Sequence, residues 1–168
     1  MYNDCNGTEK LGASHVLYSL IKIASRGEKG GYHFDPDTTI GIIFGEKSVP
    51  YRSGRVCAIE ELFTGTGIHF RSTEHIQEEI WSKFLLNVCN NLPQAILGAG
   101  VGCYNDSVHM KVISRELGKE LKAVAAAKGI DMSKADASSN IGSMVPSSAR
   151  YSTLQDLDAG RHTEIEMF

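Results

Sequence analysis

The sequence predicts an α/β remnant followed by a mainly α-helical domain, with the change near Ser72. Three observations carry this. TTIGIIF, residues 38–44, is a β-branched apolar run bounded by DPD and GE, which reads as a strand. STEHIQEEIWSKFLLNVCNNL, from Ser72, spaces Ile76, Ile80, Phe84, Leu85, Val88 and Leu92 at the helical period. VHMKVISRELGKELKAVAAAKG, from Val108, repeats that period and closes on Gly129 in C′ fashion.

The remaining elements follow in order. VLYSLIKIA, residues 16–24, is short and apolar and suits a buried strand. AIEELFTGTG, residues 58–67, has helical spacing and stops at glycines, and GIHFR, residues 67–71, is a short strand. The order strand, strand, helix, strand fits the edge of an α/β sheet. The helix after Ser72 has Ser72 or Thr73 as its expected N-cap and acidic residues in its early turns, and Pro93 is expected to end or kink it. GAGVG, residues 98–102, reads as a flexible turn between helices. Its third glycine falls one residue early for GxGxxG, and it follows a helical pattern rather than a strand. SSNIGSMVPSSARYS is a polar loop. In STLQDLDAGRHTEIEMF, Ser152 and Gln155 have capping-box spacing, which predicts a last helix running to the chain end, with an ion pair between Asp158 and Arg161 on its surface. The expected domains are therefore 1–72 and 73–168, the first too small to stand as a complete doubly wound sheet.

Bulk properties exclude several classes. With 42% hydrophobic and 22% charged residues the chain can bury a sizeable core. A net charge of −3 offers no basic surface for nucleic acid or anionic membrane, and no apolar run approaches bilayer length. Cys5, Cys57, Cys89 and Cys103 are far apart, with no CxxC pair and no histidine at zinc spacing. Free thiols in a reducing, cytoplasmic setting and no metal site are the expectation.

The candidate chemistry lies in WSKFLLNVCNNLP, residues 81–93. Trp81, Phe84, Leu85, Val88 and Leu92 share one helical face, while Lys83, Asn87 and Asn91 recur every four residues on another, with Asn90 close by. Spacing alone allows a solvated face. Solvated faces favour Glu, Lys, Gln and Arg, however, and short amides are poor helix formers that offer two donors and an acceptor to a ligand rich in oxygen. A protonated lysine amine beside them could polarise a ketone and deliver a proton to its oxygen. A second polar segment, Ser152 to Glu166, reads by itself as a capped, exposed helix start, and NG at 6–7 by itself as a turn.

Taken together these motifs resemble the ketopantoate reductase (2-dehydropantoate 2-reductase) family. The resemblance rests on the pair Asn6-Gly7, on W-x-K-x-x-x-N-x-x-x-N at Trp81, Lys83, Asn87 and Asn91, and on S-x-L-Q-D-x-x-x-G-R-x-T-E-I-E from Ser152. It implies NADPH-dependent reduction of ketopantoate to pantoate in pantothenate and coenzyme A biosynthesis. By motif position Lys83 and Glu164 would be catalytic. Lys83 would protonate the ketone oxygen, and Glu164 would bind the substrate hydroxyl near it. Asn87, Asn91 and Ser152 would bind substrate, Ser152 at the carboxylate, and Asn6 would lie where cofactor and substrate meet. The implied partners are a small 2-keto acid and NADPH, with no nucleic acid and no membrane; a homodimer is compatible with the family. The sequence departs from the family in lacking GxGxxG, in ending within the last motif, and in carrying Ala149 where many members have asparagine. The expectation is a fragment: residues 1–72 as the C-terminal part of a Rossmann-like dinucleotide domain, 73–168 as an incomplete helical substrate domain, inactive alone. Two other readings are a non-catalytic helical module that binds a small acid or a partner subunit, and a related 3-hydroxyacid dehydrogenase.

Overall fold

The computed structural model describes residues 12–23, 25–34, 36–48, 50–136 and 145–163. The chain divides into two compact units, Tyr2–Ile80 and Trp81–Phe168.

In the first unit, β1 (Tyr18–Lys22) lies antiparallel to β4 (Gly41–Gly45), and β4 lies parallel to β5 (Phe70–Ser72). A parallel pair needs a crossover, and α1 (Gly54–Phe63) supplies it. Ser53 caps α1 by accepting from the Val56 amide, and its hydroxyl donates to Glu46. Phe63 of α1 packs on Phe44 and Phe70 of the sheet, with ring centroids 6.3 and 5.5 Å away. Leu20, Ile43 and Ile76 form one buried cluster, and Phe44 and Val56 are buried as well. β1 falls within its predicted segment, β4 and β5 each extend one residue beyond theirs, and α1 starts at Gly54, before the predicted Ala58, and ends at Phe63. A second sheet, the hairpin of β2 (Ser25–Glu28) and β3 (Gly31–Phe34), was not predicted. The described faces of β3 are exposed, so no apolar alternation marks it in the sequence.

The long helix starts later than predicted. Ser72 belongs to β5 and gives its hydroxyl to Glu60, so neither it nor Thr73 caps the helix, and α2 runs Ile76–Leu86. Near its start lies a buried ion cluster. Lys22 of β1 donates to Glu79 at 2.8 Å and Arg71 of β5 donates to it at 2.5 Å, and Glu79 is 1% exposed. A buried carboxylate persists where cations and hydrogen bonds satisfy it.

In the second unit the helix does not end at Pro93. It passes through a π turn at Asn87–Asn91 and continues as α3 (Leu92–Leu97). The Leu92 amide reaches back five residues to the Asn87 carbonyl. Proline accounts for this: Pro93 has no N–H to give Cys89, and its ring would strike that carbonyl in a regular turn. A wider turn accommodates both. The extra residue moves the inward face by one position. Cys89 and Pro93 are buried, whereas the predicted Val88 and Leu92 are only half-buried.

After α4 (Cys103–Asp106), Ser107 caps the 20-residue α5 (Val108–Ala127), and Gly129 follows it at φ 75°, as predicted. α5 packs on the π turn, with Gly118 facing Cys89 and Leu85. The last described helix, α6, covers Ser152–Asp158 and stops before residues 159–163, well short of the predicted extent. No capping box forms. Tyr151 is the cap residue, Ser152 is already inside the helix, and Gln155 turns back to the Arg150 carbonyl. The expected ion pair is exchanged as well: Arg150 pairs with Asp158, and Arg161 with Asp156. No helix among the described residues is long and apolar enough to cross a membrane.

Candidate functional site

The lysine–asparagine stripe is not a solvated face. Lys83 is half-buried on the last turn of α2, Asn91 is half-buried, and Asn87 is 8% exposed. The Asn91 amide donates to the Asn87 side-chain oxygen at 2.9 Å. That bond fixes which end of each amide points where. α6, which begins at Ser152, packs against both the π turn and α3. Ser152 itself is exposed at the start of α6. The second unit therefore gathers Asn87, Asn91 and the helix that carries Ser152 around one turn. Asn6 and Glu164 lie outside the described residues.

Three supporting groups were not visible in the sequence. Gln94, 0% exposed, gives its amide to the Ala149 carbonyl at 3.3 Å and accepts from the Tyr151 amide at 2.6 Å. Tyr104 donates its hydroxyl to the Asn90 carbonyl inside the π turn, and burial pushes its pKa up, so it stays a donor at any working pH. The 98–102 glycine segment is a packed contact rather than a flexible turn. The Val101 amide donates to Ala149 at 2.9 Å and the Gly102 amide to Ser147 at 2.7 Å. A Cβ at Gly100 would stand 2.6 Å from the Ser147 carbonyl oxygen, so only glycine allows this approach. The one sequence signal for any of this is Pro93 inside a helical pattern, which marks the turn where the register changes.

A dinucleotide needs backbone amides and a helix N-terminus turned toward its pyrophosphate. Among the described residues two places come nearest, and neither fits. The Val101 and Gly102 amides are taken by Ala149 and Ser147, and the 147–148 stretch lies against Gly100 and Gly102. The turn between β4 and α1 presents the Glu46 carboxylate, held at 2.8 and 2.7 Å by Arg55, and an acid there repels phosphate. Among the described residues no group of His, Cys, Asp and Glu could hold a metal ion, and Cys57, Cys89 and Cys103 are free thiols.

Comparison with known proteins gives one family. A 2-dehydropantoate 2-reductase from Archaeoglobus fulgidus is 27% identical over 114 residues, covering 68% of this chain and 38% of that protein. The structure of a 2-dehydropantoate 2-reductase from Geobacter metallireducens superposes with a TM-score of 0.70 at 25% identity, covering 95% of this chain and 53% of that one. A dimeric ketopantoate reductase from Staphylococcus aureus shares the fold at a TM-score of 0.69 and 18% identity, covering 89% and 50%. The chain thus spans about half the length of these structures and 38% of the curated relative. Residues 75–168, more than half of the chain, match the family model for the ketopantoate reductase PanE/ApbA C-terminal region, and the chain belongs to that family.

Proposed function

We propose that this chain holds the keto acid and supplies the proton in an NADPH-dependent reduction of 2-dehydropantoate to pantoate. The observation that carries the reading is the match over 75–168, which contains both the Lys83 helix and the Ser152 helix. Lys83 polarises the ketone and donates a proton to its oxygen as the carbon is reduced. Asn87 and Asn91, held together by their mutual bond, contribute amide groups that bind substrate oxygens and hydroxyls. Ser152 holds the carboxylate, Glu164 binds the hydroxyl, and Asn6 lies where substrate meets cofactor. The hydride belongs to NADPH, whose pyrophosphate finds no cradle among the described residues. In the same reading 1–72 is part of a dinucleotide-binding domain and 73–168 the substrate domain, the protein works in the cytoplasm, and it pairs as a homodimer.

The experiment is a titration of the chain with pantoate and with ketopantoate by calorimetry, beside an NADPH-oxidation assay. Binding of both acids, weakened in Ser152→Ala, supports the reading. Absence of binding by either acid refutes it. Binding without turnover, even in a polypeptide that also supplies a GxGxxG cradle, favours a non-catalytic acid-binding module instead. Light scattering tests the dimer.

A further inference from the structure

We infer that Gln94 is a positioning residue for Ser152, locking the asparagine turn and the serine helix into one unit. The inference rests on the reading of Ser152 as the carboxylate-holding residue.

The geometry is specific. A buried amide normally satisfies its groups wherever partners are available. Gln94 uses both ends on one short stretch of backbone, the Ala149 carbonyl and the Tyr151 amide. These bonds bracket Arg150 and fix Tyr151, the residue that caps α6 immediately before Ser152. The other side of the stretch is already held, by Val101 on Ala149 and by Gly102 on Ser147. The Ala149 carbonyl thus receives two donors, and the backbone entering Ser152 is pinned from both flanks.

Gln94 also inherits its orientation from the π turn. It follows Pro93, whose missing N–H leaves an unavoidable gap in the hydrogen-bond ladder, in α3. Were the turn to revert to regular helix, one residue fewer would be needed to close it. Every later side chain would then swing by about 100°. Gln94 would leave the 149–151 backbone, while Asn87 and Asn91, four apart, would stay neighbours. The π turn therefore sets where Gln94 points, and with it the link between the asparagine turn and the serine helix.

The test is a double-mutant cycle on the chain with pantoate as the calorimetric probe. Gln94→Met keeps the volume and removes both hydrogen bonds, and should raise the Kd for pantoate by about tenfold, the usual effect of removing a buried hydrogen bond. In the Ser152→Ala background the same change should add almost nothing, because its effect passes through Ser152. Gln94→Glu keeps an acceptor for the Tyr151 amide and should fall between wild type and Gln94→Met, which also covers a Gln94→Met that fails to fold. Full additivity with Ser152→Ala, or unchanged affinity in a folded Gln94 variant, overturns the inference while leaving the site reading intact. A wild-type chain that binds no pantoate overturns the site reading itself, and the inference with it.

Discussion

Glu79 tests whether the cluster near the start of α2 anchors the helix that bears Lys83. It stands one turn before Lys83, and α2 is the continuous element joining the two residues. The magnitude follows from burial. Glu79 and Lys22 are 1% and 7% exposed at their side chains, so their attraction is little screened, whereas Arg71 at 32% is partly hydrated and contributes less. Glu79→Ala removes the carboxylate that both cations share. Breaking a buried pair from one side costs about 3–5 kcal/mol. With a urea slope of about 2 kcal/mol per molar, the unfolding midpoint should fall by about 2 M. For a domain of ordinary stability, about 5–15 kcal/mol, that is a large fraction of the whole. The assay is urea unfolding followed by Trp81 fluorescence. Replacing both partners with apolar residues, Lys22→Met with Glu79→Leu, should recover most of the loss, since desolvation opposes a buried pair as strongly as attraction favours it. Glu116→Ala, which removes an exposed carboxylate paired with Arg115 and Lys119, should leave the midpoint where it was. A Glu79→Ala midpoint within about 0.3 M of wild type would refute the anchoring argument.

Three further outcomes are expected. Lys83→Ala, assayed in a polypeptide that also carries a nucleotide cradle, should lower kcat about a hundredfold or more with a smaller change in KM, and an unchanged kcat removes Lys83 from proton transfer. Gly100→Ala should destabilise the fold by about 1–3 kcal/mol, because its methyl would meet the Ser147 carbonyl, and an unchanged melting temperature would show that the 147–149 stretch yields freely. Glu46 responds to acid: burial raises its pKa, but hydrogen bonds from Ser53 and Arg55 and the Arg55 charge outweigh that and hold it below the usual carboxylate value. A depressed folded-state pKa stabilises above the unfolded value and is lost as pH falls through the folded one. Acid unfolding of wild type should therefore be steeper than that of Glu46→Gln below the ordinary carboxylate range, and parallel profiles would contradict it.

The parts of the fold that were legible in the sequence are those governed by local period and local stops. β4 announced itself by branched residues, and α5 by twenty residues of one period ended by Gly129. The parts that were not legible depend on partners distant in the chain. Ser72 reads as a cap until Glu60 is seen to take its hydroxyl. The 98–102 glycines read as slack until the 147–149 backbone is seen lying against them. Gln94 looks like any surface amide in QAILG, and only burial against Ala149 and Tyr151 distinguishes it.

The pair Asn87 and Asn91 shows how neighbours read from a helical wheel can stay neighbours although the wheel's geometry fails. The helical wheel assumed one period from Ile76 to Leu92, and that period fails at Asn87. The grouping survives because residues four apart remain neighbours across a slightly wider turn, as the bond from Asn91 to Asn87 demonstrates. What the assumption misplaced is everything downstream. A regular helix carries Ile96 inward with Val88 and Leu92; after the π turn Ile96 is 84% exposed and Gln94 is fully buried. Short amides are weak helix formers, so a run of asparagines before a proline lowers the energy needed to leave the regular register. The composition that suggests a ligand-binding stripe is thus also the composition that lets the helix widen, and the widening is what turns Gln94 toward the backbone of the serine helix.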